Sequence, residues 1–329
     1  MFKYIVKRLA VSFLILLGVS LLLYVLLRFM PTDFIEQKII ALNQTGATVN
    51  DEFVKQMYKT YGLDGTVLEG YFTWLGNAFR LDFGKSFINQ REVVSEIFDP
   101  DKMGTSFFVA AVATVFEFLI AIPLGITAAT HQYSLRDYIV TVLVLIGISL
   151  PSFFFGQMLK DLFANKLHWF PVSGMKDASL DYANGLEAFI DYARHMFLPV
   201  LTVVILSIGG RMRMTRTNML EVLNSDYIRT ARAKGLKERT VIYKHAFRNT
   251  LIPIVTGLAG LIPSLFSGAM ITESVFDLTG LGKFALNAMT QGDIPVIMTY
   301  NMFLAFLSVM GVLLADLMYA VVDPRVKLA

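Results

Sequence analysis

Six apolar runs limit what this chain can become, because each is long enough to cross a hydrocarbon core of about 30 Å, which takes roughly 20 residues at about 1.5 Å apiece. They lie near Leu9 to Met30, Gly104 to Thr130, Tyr138 to Phe163, Met196 to Met214, Leu251 to Ser274 and Val296 to Val322. With 55% hydrophobic and 17% charged residues in 329, the composition is that of a chain dissolved in lipid. The expectation is an all-α integral membrane protein with six transmembrane helices and one membrane domain. Lys3, Lys7 and Arg8 precede the first run, but that run is too long for a cleavable signal and reads as an uncleaved helix.

Basic residues accumulate on the cytoplasmic side of membrane proteins, so loop charge gives an orientation. Segments 1–8, 131–137, 211–250 and 323–329 together carry sixteen Lys and Arg against five acids. Segments 31–103, 164–195 and 273–295 carry eleven against eighteen. Both termini and the 211–250 loop are therefore expected in the cytoplasm. The chain divides into residues 1–30 (N-terminus and first helix), an extracytoplasmic cap over 31–103, and a core over 104–329. The cap is too long for a simple connector. Its aromatic residues Phe53, Tyr58, Tyr61, Tyr71, Phe72 and Trp74 suggest a small folded unit at the membrane surface, either a lid on the other outer loops or a dock for an external protein.

Pro123, Gly125, Gly147, Pro151, Pro199, Gly257, Gly260, Pro263 and Gly268 interrupt the spans. They suit close helix packing through small residues, or hinges. Two acids stand in apolar sequence, Glu117 in the second span and Asp316 in the sixth. An intramembrane acid is a candidate proton relay, and equally a packed, hydrogen-bonded or pore-facing carboxylate.

Arg211 to Arg248 is the most informative segment, since so long and basic a loop between spans has to be folded or bound. Ser225 can cap a short helix, Asp226 and Lys234 complement its two ends, and Gly235 can take the left-handed turn that stops it. A second helix over Lys237 to Phe247 would place Ile242 and Ala246 on one face, with Pro253 where the fifth span begins. Ala231 and Ala233, small among Arg229, Arg232 and Lys234, let a partner come close while charge fixes register. That describes a docking knob more fully than a basic helix lying on anionic headgroups.

The string Asp226-Tyr227-Ile228-Arg229-Thr230-Ala231-Arg232-Ala233-Lys234-Gly235-Leu236 resembles the EAA loop of binding-protein-dependent ABC importers, in its peptide/nickel subgroup form. Arg229 stands where the general pattern has glutamate, so contacts inferred from that glutamate do not transfer. The resemblance runs through Tyr61-Gly62-Leu63-Asp64, Tyr71, Trp74, Asp82-Phe83-Gly84-Lys85-Ser86, Leu150-Pro151-Ser152-Phe153 and Trp169-Phe170-Pro171-Val172-Ser173-Gly174. It continues with Glu273-Ser274-Val275-Phe276, Gly280-Leu281-Gly282, Asp293-Ile294-Pro295-Val296 and Asp323-Pro324-Arg325. The outer block is similar to the B-type permease, apart from Pro31-Thr32-Asp33 where the family usually has Pro-Gly-Asp.

The resemblance implies a type I importer permease (MetI-like) fold in a bacterial cytoplasmic membrane. It implies pairing with a homologous C-type permease, docking of two cytoplasmic ATPase subunits, and an extracytoplasmic solute-binding protein. No cofactor would be held by this chain, ATP and magnesium residing on the ATPases. Asp226, Tyr227, Arg229, Thr230, Ala231, Arg232, Ala233, Lys234, Gly235 and Leu236 would form the docking site. Oligopeptide is the expected cargo, with dipeptide, nickel chelate or glutathione as alternatives. A proton-coupled secondary transporter is the rival from another class, and no acid, base and nucleophile gather as in an enzyme.

Partial motifs carry nothing further. Gly84-Lys85-Ser86 lacks the first glycine of a Walker loop, where this chain has Phe79. Gly280-Leu281-Gly282 lacks the third glycine of a dinucleotide turn. His131, His168, His195 and His245 are too scattered for one metal site. The chain has no cysteine, and a net charge of +3 argues nothing about nucleic acid.

Overall fold

The computed structural model describes residues 2–29, 39–40, 55, 65–177, 179, 182, 184–251 and 260–322. Among them the chain is helical, with one isolated antiparallel bridge between Lys85 and Glu92. Helix α1 (Phe2–Arg28) is followed by α2 (Val67–Ala78) and α3 (Val93–Ile97), then by the long α4 (Pro100–Thr130). Thr66 and Glu69 close a reciprocal capping box on α2, and Asp99 caps α4 ahead of Pro100 at its first position. Tyr61 to Asp64, Phe53, Tyr58, Pro31 to Asp33, Pro253, Gly257 and Asp323 to Arg325 lie outside the described residues.

Among the described residues four helical stretches are long and apolar enough to cross a membrane: Val6–Arg28, Val93–Thr130, Gly185–Leu223 and Ile294–Asp316. The third expected span is not one rod. It breaks into α5 (Leu135–Ser149) and α6 (Ser152–Leu159), which runs into a π-helical turn Lys160–Lys166, with a bend of 101°. Pro151 is the cause: it holds Leu150 extended (φ −87°, ψ 131°) and offers no N–H to the preceding turn. Of the fifth span, the described residues form α10 (Leu261–Ser267) and α11 (Met270–Val275), parted at Gly268 with φ +67°. Helix α12 (Leu281–Gln291) precedes the last helix, α13 (Ile294–Val322).

Helix α7 (Gly185–Leu223) corrects the loop boundaries on both sides. Its 39 residues make about 58 Å of helix, nearly twice the hydrocarbon thickness, so it projects beyond the core at each end. Residues 211–223 are thus helix and not loop, as are residues 185–195, which the sequence assigns to a connection.

Helices α4 and α7 run side by side in the same direction. Gly125 lets them touch, since a Cβ there would stand 2.8 Å from Met212 O and 2.7 Å from Thr215 Cβ. Val109, Phe155, Leu159, Met196, Leu198 and Val204 form the main core near one end of the bundle, closed by Phe276 and Leu278. At the other end Ile126 and Ala129 of α4 and Met219 of α7 make a separate cluster that carries the segment beyond α7. Arg8 of α1 pairs with Asp316 of α13 at 2.9 Å.

Candidate coupling site and its foundation

Helix α8 (Asp226–Ala233) begins two residues after α7 stops. Ser225 takes the extended cap conformation (φ −74°, ψ 153°), but its hydroxyl donates back to Val222 O at 2.6 Å instead of forward into α8. Its cap role is therefore one of backbone direction only. At the far end Gly235 has φ +74°, and its N–H donates to Arg232 O at 2.9 Å, which is the left-handed stop the sequence calls for.

The two faces of α8 differ. Ile228 is fully buried and Ala231 nearly so, against Ile126, Ala129 and Met219 of the long helices and against Val241 and Ala246. The inward turn of Ala231 corrects the expectation that its small side chain admits a partner; it admits this chain's own core. Asp226, Tyr227, Arg229, Thr230, Arg232, Ala233, Lys234, Gly235 and Leu236 are exposed. Arg229 lies 3.6 Å from Asp226, one turn back.

Arg232 is held in a forked pair by Glu238, at 2.7 and 3.2 Å, which ties α8 across the Gly235 turn to α9 (Glu238–Thr240). That hydrogen-bonded guanidinium keeps the Glu238 carboxyl below its ordinary value. Beyond α9 the chain forms a π-helical turn, Val241–Phe247. Its wider spacing puts Val241 and Ala246, five residues apart, into the core, where an α-helical reading would pair Ile242 with Ala246. Ile242 packs at the edge. The basic outer surface of α8 is thus bolted to the ends of α4 and α7 and has little freedom of its own.

Both acids noted in the apolar runs have arginine partners on other helices. Glu117 accepts from Arg211 Nε at 3.0 Å, and the Arg211 guanidinium lies 4.5 Å from the Phe118 ring centroid. Asp316 is the partner of Arg8. A third pair, Asp137 with Arg216 in two hydrogen bonds of 2.9 and 3.1 Å, links α5 to α7. Sequence reasoning missed these because Arg211 and Arg216 were counted as loop charge. Among the described residues no group of three or more His, Asp or Glu is placed to hold a metal ion.

A family model described as binding-protein-dependent transport system inner membrane component matches residues 121–328, and its N-terminal companion matches residues 1–108. The chain belongs to this family of ABC importer permeases. This inner membrane component is 36% identical over 327 residues to the oligopeptide transport system permease protein AppB of Bacillus subtilis, covering 99% of this chain and 100% of that one. It is 35% identical over 330 residues to a putative peptide permease protein of Brucella ovis, covering 99% of each. A solved structure of the MetNI methionine ABC transporter, titled as inward-facing, matches with a TM-score of 0.52 at 15% identity, over 68% of this chain and 94% of that chain. The fold is accordingly the MetI-like permease fold. As a permease of a binding-protein-dependent system, the chain works with ATPase and binding-protein partners.

The permease motifs that are scattered in sequence meet in space. Glu273 is fully buried and accepts from Ser106 Oγ at 2.8 Å, Ala269 N at 3.1 Å and Lys283 N at 2.8 Å. Gly280 must be glycine for this, because a Cβ there would lie 2.2 Å from Glu273 Oε2. The Glu273-Ser-Val-Phe and Gly-Leu-Gly motifs are two halves of one carboxylate clasp that fixes α11 to the start of α12. Phe276 O accepts from Gly174 N at 3.0 Å, which brings in the Trp169 to Gly174 motif. In the same way Asp293, at the start of α13, accepts from Ser86 Oγ at 2.5 Å and Phe87 N at 3.1 Å, joining the Asp82 to Ser86 motif to the last helix. Burial raises the Asp293 carboxyl above its ordinary value, and these hydrogen bonds offset only part of that rise.

Proposed function

We propose that this permease forms half of the translocation pore of an ATP-driven oligopeptide importer and receives the work of ATP hydrolysis through α8. The carrying observation is the division of α8 into an inner face sunk between α4 and α7 and an outer face of Tyr227, Arg229, Thr230, Ala233 and Lys234 left open. Closure of a docked ATPase pair then displaces α8 as a rigid body, and the long helices to which it is bolted reorient the pore. The other half is a homologous C-type permease, a solute-binding protein delivers cargo from outside, and both termini stand in the cytoplasm with α8. The pairing of Arg8 with Asp316 supports that arrangement, since it keeps the start of α1 beside the inner part of α13.

Oligopeptide as cargo rests on the printed name of the Bacillus subtilis relative, whose match runs the length of both chains. Proton coupling is disfavoured because Glu117 and Asp316 are each already engaged by an arginine of another helix. Gly235→Asp is the test of coupling. An added Cβ at Gly235 meets no atom within 4 Å, so only the left-handed backbone and the new charge are at issue. The expected result is a complex that assembles and inserts but loses substrate-stimulated ATPase and uptake together. Full activity of both refutes the reading, and mass spectrometry of ligand carried through purification identifies the cargo.

A further inference from the structure

Between α1, α2, α3 and α13 lies a crevice of about 620 Å³. Its walls are aliphatic and aromatic, including Phe13, Leu16, Leu75, Phe79, Met302 and Phe306. The two hydroxyls in the lining are already spent: Ser20 bonds Leu17 O at 2.8 Å and Tyr71 OH at 2.9 Å, and Thr299 donates to Pro295 O at 2.7 Å. These hydroxyls offer water no free partner, so the space suits hydrocarbon. Phe13 to Ser20 belong to the middle of a helix that crosses the membrane, so the adjoining medium is lipid.

Trp74 stands in the wall between this crevice and a second, more polar cavity of about 570 Å³ lined in part by Thr73, Asn77 and Lys85. Its indole Nε1 is buried and has no hydrogen-bond partner among the described residues. A buried donor at the edge of an apolar space asks for an acceptor that a hydrocarbon chain brings with it, such as an ester or phosphate oxygen. Helix α2 runs antiparallel to α1, with Gly65 O before its start accepting from Arg28, Tyr71 meeting Ser20, and Phe79 past its end meeting Phe13; Leu68, Phe72 and Phe79 are exposed on one side, while Glu69, Thr73 and Asn77 line the second cavity. Leu81, just past its end, is held at φ +61° with 75% of its surface exposed, a strained apolar side chain turned outward. Lys85, in the lining of the second cavity, forms no ion pair among the described residues.

We infer that the crevice is a binding site for one glycerophospholipid, an acyl chain lying between α1, α2 and α13, an ester or phosphate oxygen accepting from Trp74, and the anionic headgroup in the adjoining cavity near Lys85. The site is separate from the coupling helix and does not depend on the transport reading.

The chain has two tryptophans, so Trp169→Phe leaves Trp74 as the sole indole and Trp74→Phe leaves Trp169. Each full-length variant is placed in nanodiscs with increasing fractions of phosphatidylglycerol brominated in mid-chain. The site requires Trp74 to be quenched more strongly than Trp169 and to saturate at a lower bromolipid fraction. The excess is lost when Ala78→Phe fills the crevice. Equal quenching of both indoles overturns the proposal, as happens if residues 30–64 or a helix of another subunit occupy the space. Ala78→Phe crowds a packed helix, so the midpoint is also read in Lys85→Glu, an exposed position. Loss of one cationic contact raises the midpoint about fivefold. An unchanged midpoint removes the headgroup from the site and overturns the assignment.

Discussion

Glu273 shows how much a single buried side chain can organise. Its carboxylate satisfies a hydroxyl and two backbone N–H groups, and each buried donor left without an acceptor costs about 1–3 kcal/mol. Glu273→Gln turns an amide N–H toward some of those donors, so the expected loss is of that size, read as a lower unfolding midpoint of the purified chain. Gly280→Ala destabilises comparably, because its methyl displaces the carboxylate; an unchanged midpoint for both variants contradicts the clasp. Arg211 and Glu117 pose a different case, since both are mostly withdrawn from solvent. Arg211→Met alone strands a buried carboxylate and costs about 3–5 kcal/mol, and adding Glu117→Gln recovers much of that. A double-mutant cycle with no coupling between the two sites rules out the pair. Sequence shows that Glu117 and Asp316 are unusual, because an acid in an apolar run is visible in one dimension. It does not show their partners, since Arg8 and Arg211 are separated from them by whole helices.

Among the elements, α8 is the best test of what pattern reading can reach. Gly235 was legible because its residue type fits few backbone conformations, and the basic character of the helix was legible from composition. The inward face was not, because a helix of eight residues has too few turns for its apolar stripe to define a direction. The structure therefore separates two alanines that look equivalent in sequence. Ala231→Leu overfills the cluster of Ile126, Met219 and Val241, costs about 1–3 kcal/mol and lowers the stability of the whole cytoplasmic end. Ala233→Leu leaves stability unchanged and weakens ATPase association. The pair is checked by unfolding midpoints alongside pull-down of the ATPase subunit; equal stability effects at the two positions contradict the facing of α8. Other elements follow the same division. Pro151 marks a break in the third span, but only the packed structure makes that break a bend of 101° and not a slight kink. The π-helical spacing of Val241 to Phe247 has no signature that a reading at 3.6 residues per turn can detect.

At the scale of the molecule, one continuous helix joins the segment that carries α8 to the main core. Helix α7 carries α8 at one end, and its opposite half contributes Met196, Leu198 and Val204 to the main core, where Phe276 borders the Glu273 clasp. On the proposed coupling, a displacement at α8 would reach the packing of α4, α7 and the broken segment α10–α11 through these helices. The membrane class was legible because length and hydropathy of the spans are set by the bilayer itself, and the family because the Asp226 to Leu236 string resembles its cytoplasmic loop. Helix ends that project past the bilayer were not, because charge marks where lipid stops and says nothing of where a helix stops. The central claim is that α8 lies in the cytoplasm in the grip of an ATPase, and the absence of native cysteine makes it directly measurable. With Ala233→Cys as the sole thiol of this chain in sealed cells, the account predicts no labelling by an impermeant maleimide from outside, and cross-linking to an ATPase subunit that changes in yield when ATP is bound. Labelling from outside, or continued ATP-dependent uptake with no cross-link to any ATPase, would contradict it.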